Sequence, residues 1–97
     1  MGLMFGKYVI GFENSRGEVQ YFMSFSSNKS YIYTTKDIDN AEKFMSENAA
    51  RDFYYRKLQY TPVFDFDVKN AYVYKKSNFI ARDPMWEICF TFHKLFT

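Results

Sequence analysis

The chain predicts an α+β domain: an antiparallel sheet of about five short strands, built from β-hairpins and packed on one amphipathic helical region. Three observations carry that expectation. Segments of period two, rich in β-branched and aromatic residues, lie towards both ends of the chain. Between them, from Ile38 to Phe53, apolar residues recur at helical spacing. The 97 residues include 12 Phe, 9 Tyr and 1 Trp, enough ring area to build one core in a chain too short for two.

The first strand is Lys7-Tyr-Val-Ile-Gly-Phe12, with Tyr8, Ile10 and Phe12 on one face. The second is Val19-Gln-Tyr-Phe-Met-Ser-Phe25, with Val19, Tyr21, Met23 and Phe25 on one face. The intervening ENSRGE holds Asn14, Ser15 and Gly17, turn residues that tolerate unusual backbone angles, so the two strands should form a hairpin. A second turn, Ser26 to Ser30, delivers a short strand from Tyr31 to Thr34.

The period then changes. Thr34-Thr-Lys-Asp37 has capping-box character, and Asp37, Asp39 and Glu42 are placed where a helix N-terminus favours negative charge. Ile38, Ala41, Met45, Ala49 and Phe53 define the apolar stripe, and Arg56 and Lys57 suit the helix end. Ser46 is an alternative cap, so the region reads as one long helix or two short ones. On this stripe Phe53 faces the core, Tyr54 flanks it and Tyr55 points outward beside Arg51 and Gln59.

Pro62 ends the helical region. Val63 to Val68 alternates, with Phe64, Phe66 and Val68 inward and Asp65 and Asp67 outward, and Lys69-Asn70 turns the chain into a returning strand, Ala71 to Lys76. A short extended piece follows at Phe79 to Ala81. Asp83-Pro84 could open a helix, but Trp86-Glu-Ile-Cys-Phe-Thr-Phe-His93 alternates in period two, and the strand reading is preferred.

Composition excludes several functions. A single cysteine, Cys89, rules out an intramolecular disulfide framework and a Cys-based structural zinc site, which fits a reducing, cytoplasmic setting. No apolar run approaches the ~20 residues that span a bilayer, and the opening MGLMFGKYVIGF has no small-residue cleavage site, so no membrane partner is expected. Gly6 stands where a myristoylation motif wants Ser or Thr. The four glycines form no phosphate-binding loop, and no cofactor is expected. The net charge of +2 is too balanced for a polybasic nucleic-acid binder.

Catalytic constellations are equally thin. Cys89 and His93 would be neighbours on a helix, but on a strand a four-residue spacing separates them by about 13 Å, beyond hydrogen-bond reach. Asp65 and Asp67 would lie about 7 Å apart on one strand face, a spacing that suits a metal or a glycosidic bond but also an ordinary solvated face. No catalytic or metal residue is assigned, and the chain reads as a non-enzyme.

The remaining signal is aromatic and basic. Tyr31 and Tyr33 on one strand, Tyr72, Tyr74, Lys75 and Lys76 on another, and Arg51 and Tyr55 on the helix are the candidate partner-binding residues. In size, single-domain economy, aromatic excess and lack of catalytic motifs, the chain resembles the small proteins that phages and mobile elements encode to block host factors, including anti-CRISPR inhibitors. AEKFMSENAARDF similarly resembles a helix found in short phage proteins. The resemblance implies stoichiometric inhibition of a host defence protein, such as a CRISPR effector, in the host cytoplasm. The alternative is a single-stranded nucleic-acid module that stacks bases on tyrosines beside lysines. An unprotected edge at Tyr31 to Thr34 would also permit a homodimer.

Overall fold

The computed structural model describes residues 7–76 and 86–92 and contains a five-stranded antiparallel sheet of spatial order β3-β2-β1-β4-β5. The strands are β1 (Tyr8–Glu13), β2 (Val19–Phe25), β3 (Ile32–Thr35), β4 (Asn70–Lys76) and β5 (Trp86–Phe92). Within the C-terminal segment the described residues Trp86–Phe92 are therefore a strand. The β1–β2 hairpin closes through its side chains: Asn14 Oδ1 accepts from the backbone N–H groups of Arg16 and Glu18 at 3.0 and 2.9 Å. Gly17 takes a φ of +82° that a β-branched residue would resist.

Residues 36–69 leave β3 at the sheet edge and return to β4 near its centre, crossing one face on the way. In them lies α1 (Glu47–Phe53), capped by Ser46, whose Oγ accepts from Ala49 N–H at 3.0 Å. Helix–sheet packing buries Ile10, Phe12, Phe22, Ile32, Ala71, Val73 and Phe92 from the strands against Phe44, Ala50 and Leu58 from the crossing segment. Each large side chain taken out of water there contributes roughly 1.5–3 kcal/mol. The core is thus a single layer between sheet and crossover.

One open alternative is decided, in favour of a separate helix capped by Ser46, and three expectations need correcting. The acidic stretch opens no long helix. It forms one 3₁₀ turn, Ile38–Asn40, capped by Asp37 and held by Lys43 Nζ, which donates to the carbonyls of Ile38, Asp39 and Ala41 at 2.9, 3.1 and 2.8 Å. The chain then extends so that Phe44 can bridge Tyr8, and the helix starts afresh at Ser46. That restart rephases the stripe. Met45 is half exposed and Ala49 exposed, while Ala50 is buried.

Tyr55 does not point outward. After Phe53 the helix widens into a π-helical turn, Tyr54–Leu58, closed by Gln59 N–H donating to Tyr54 O at 2.8 Å. The wider turn brings both tyrosines onto β5. Tyr54 stacks on Phe92 at 3.8 Å and 19°, and Tyr55 meets the same ring edge-on at 5.4 Å.

Residues 63–68 form no strand. Only Val63 pairs, in a parallel bridge to Ile32, because Asp65 takes a φ of +55° that breaks an extended run. Phe66 and Val68 do pack inward, but Phe64 is 55% exposed. β4 therefore pairs with β1 and β5, with no hairpin from residues 63–68.

The edge at β3 is also protected. Ile32 N–H donates to Pro62 O and Phe64 N–H donates to Ile32 O, both at 2.9 Å, so the chain itself occupies part of that edge. The expected extended piece at Phe79 to Ala81, and His93 with it, lie outside the described residues.

Two stability measurements test this arrangement. Ser46→Ala should cost about 1 kcal/mol in urea unfolding, because it removes the cap of the only long helical segment described, and Asp37→Ala should cost less. Tyr55→Ala should destabilise by about 2 kcal/mol, less than a fully buried ring but more than a surface one; a change under about 0.5 kcal/mol would contradict the packing on Phe92.

Candidate functional site

In an antiparallel sheet, directly paired residues point to the same face, and faces alternate along each strand. Gly11 pairs with Tyr21 on one side and Tyr72 on the other, and Val9 pairs with Tyr74. Tyr21, Tyr72 and Tyr74 consequently share the face opposite α1. Gly11 leaves room for them: a Cβ there would lie 2.5 Å from Tyr74 Cε2 and 3.3 Å from Tyr21 Cδ1. The rings meet edge-to-face, Tyr21 with Tyr74 at 5.7 Å and Tyr72 with Tyr74 at 6.0 Å.

Glu13 anchors one end of this ladder. Its Oε1 accepts from Tyr72 OH at 2.8 Å and from Asn70 Nδ2 at 3.2 Å. The hydrogen bond to Glu13 pushes the Tyr72 phenol up. Burial does the same for Tyr21 and, with help from the neighbouring phenols and Glu13, drives Tyr74 up to about 12.

A second cluster extends the same face at the β3 edge. Thr35 pairs with Tyr21, so Tyr33 and, by alternation, Tyr31 share its side. Phe64 stands against both, edge-to-face at 5.8 Å to Tyr31 and 5.7 Å to Tyr33. The exposures are 45% for Tyr31, 40% for Tyr33 and 55% for Phe64. Ile88, paired with Tyr74, is also exposed on this face, and Met23 is exposed at the β2 bulge. Such a concentration of exposed apolar side chains marks an interaction surface more often than an ordinary solvated face.

The expected partner residues thus separate. Tyr31, Tyr33, Tyr72 and Tyr74 share the open face, and Lys76 falls on it by alternation. Lys75 pairs with Tyr8 and falls on the helix face. Arg51 and Tyr55 lie on the opposite side, where the Arg51 guanidinium sits 4.0 Å above Phe90 and 3.5 Å from Glu47. Tyr21, Phe64 and Ile88 join the site without having been singled out from the sequence. Phe64 was hidden by an alternation that assigned it inward; for Tyr21 the available signal was its place in a strand opposite a glycine.

Catalytic geometry is weak. An open cleft of about 750 Å³ lies between the β1–β2 turn and residues 65–67, with Arg16, Glu18, Lys36, Asp65 and Asp67 on its walls. Glu18 is held low by hydrogen bonds from Asn14 and Arg16, as a structural carboxylate would be. Cys89 is exposed, but partial desolvation and the Glu47 carboxylate raise its thiol and oppose thiolate formation. Among the described residues no group of three or more His, Cys, Asp or Glu is placed to hold a metal, and no helix is long and apolar enough to cross a membrane. No family model, curated protein or solved structure matches the chain.

The Tyr74 phenol gives a measurable signature. Its folded value lies above the ordinary value of 10.0, so the folded state holds its proton where the unfolded chain has lost it. Stability should be intact below pH 10 and should fall as pH rises from about 10 to about 12. Tyr74→Phe, which removes the phenol and keeps the ring, should leave neutral-pH stability nearly unchanged and flatten that loss in unfolding titrations.

Proposed function

We propose that the chain is a non-catalytic binding protein that inhibits another protein by stoichiometric docking through the aromatic sheet face. The observation that carries this is the Tyr31–Phe64–Tyr33 cluster: three exposed rings in mutual contact, grouped around Ile32, whose backbone is hydrogen-bonded on both sides. Rings already held in place lose little freedom on binding, which makes them efficient anchors. Their partner, by the resemblance in size and composition to phage-encoded inhibitors, is a host defence protein such as a CRISPR effector.

The alternative, a single-stranded nucleic-acid module, uses the same tyrosines with Lys76. Two features weigh against it. Tyr21, Tyr72 and Tyr74 spend ring surface on one another, and the Glu13 carboxylate at the end of their ladder would repel phosphates. The helix side offers no replacement platform, since Tyr54 and Tyr55 are taken up by Phe92.

Phe64→Ala tests the reading. With Phe64 more than half exposed, the variant should melt within about 0.5 kcal/mol of the parent. Affinity for a 1:1 partner captured from host lysate should drop at least ~10-fold, the loss expected of an interface anchor. Salt separates the two readings. A nucleic-acid complex with several phosphate contacts would lose orders of magnitude in affinity between ~50 and ~200 mM salt, whereas the protein complex should change only a few-fold. Unaltered capture by Phe64→Ala would reject the proposed surface.

A further inference from the structure

At the turn end of the tyrosine ladder a carboxylate lies against the rings. Glu13 Oε1 accepts from Tyr72 OH at 2.8 Å and from Asn70 Nδ2 at 3.2 Å. Among the described residues Glu13 Oε2 accepts no side-chain hydrogen bond, and the carboxylate takes part in no ion pair. Its charge is felt beyond Tyr72. Burial, and after it the Tyr21 and Tyr72 phenols and the Glu13 carboxylate, push the Tyr74 phenol up to about 12.

The cations of this face are too distant to answer that charge. Alternation puts Lys7 and Lys76 on the open side, at the opposite end of the β1–β4 pair from Glu13. At the rise of a strand their backbones lie about 20 Å away, beyond the ~8 Å over which exposed charges act at physiological salt. The ladder therefore ends in rings beside an uncompensated carboxylate.

Rings beside a carboxylate are the surroundings that hold a guanidinium or an ammonium, by attraction to the ring faces together with an ion pair. Tyr72 is suited to this twice over, because donating its hydroxyl to Glu13 also raises the electron density of the ring that a cation would meet. The protein contains one such arrangement internally. Arg51 lies 4.0 Å above the Phe90 ring and 3.5 Å from the Glu47 carboxylate.

We infer that the docking partner presents an arginine or lysine side chain to this end of the face, pairing its charge with Glu13 and laying it against the Tyr72 ring. The inference rests on the protein-binding reading above and names the chemistry of the partner at that surface. An acidic side chain would instead meet like charge.

The test uses the whole chain, two small probes and two variants. Glu13→Gln keeps an oxygen that accepts from Tyr72 and Asn70, so it should fold and lose only the charge. N-acetyl-arginine amide should shift the backbone amide resonances of Gly11, Glu13 and Tyr72, and its uncharged counterpart, N-acetyl-citrulline amide, should bind more weakly. Glu13→Gln should weaken the arginine probe about three-fold, the scale of one solvent-exposed ion pair. Tyr72→Leu, which keeps the carboxylate and removes the ring, should weaken it as well. Equal binding of the two probes, shifts confined to other strands, or unchanged affinity in Glu13→Gln would overturn the inference. Once a partner is in hand, the failures separate: capture lost in Phe64→Ala but untouched by Glu13→Gln overturns the basic side chain and leaves the protein-binding reading standing, whereas capture that survives both substitutions overturns both.

Discussion

Strand β1 is bonded on both sides, and its two faces make opposite demands. Towards α1 it supplies Ile10 and Phe12, both nearly inaccessible, and these meet Val73 and Ala71 of β4 in direct register. Towards the other face it offers Gly11, and the missing side chain is what lets Tyr21 and Tyr74 converge above it. A methyl group at residue 11 would have to displace a ring held by edge-to-face contacts and partly removed from water. The same strand thus fixes the core on one side and the tyrosine ladder on the other, so the open face inherits the rigidity of the core.

How much of this was legible in the sequence depended on how local the cause was. The β1–β2 hairpin was readable because two adjacent period-two strands and a turn holding Asn14 and Gly17 specify each other locally. Strand β5 was readable for the same reason, since alternation and β-favouring residues outweighed the Asp83-Pro84 helix opening. The helix start was not. Asp37 and Ser46 are both good caps, and what selects Ser46 is the long-range bridge of Phe44 to Tyr8, which forces residues 41–45 into an extended path. The π-helical turn likewise has no marker in YYRKL. It becomes favourable only because Phe92 offers Tyr54 and Tyr55 a ring to pack on.

The candidate site divides along the same line. Tyr31, Tyr33, Tyr72 and Tyr74 were recognisable as strand-borne rings, and alternation alone puts each pair on one face. That both pairs share a face with Tyr21 follows from register across five strands, which one sequence does not reveal. Arg51 and Tyr55 satisfied the same compositional rule and were absorbed by packing. An aromatic residue in a short chain is a candidate for the core and for the surface at once, and only the tertiary arrangement assigns it.

The position of Phe64 shows how protecting the sheet can create the binding surface. β3 is an edge strand, and an edge with free N–H and C=O groups invites pairing with another chain. Here Pro62 O and Phe64 N–H satisfy Ile32 from outside, a parallel contact too short to become a strand because Asp65 turns away at positive φ. The alternation of that short contact sends Val63 towards the core and Phe64 to the opposite face, against Tyr31 and Tyr33. Covering the edge therefore costs an exposed phenylalanine, which packing alone would not favour. That exposed ring is the one on which the proposed docking face rests.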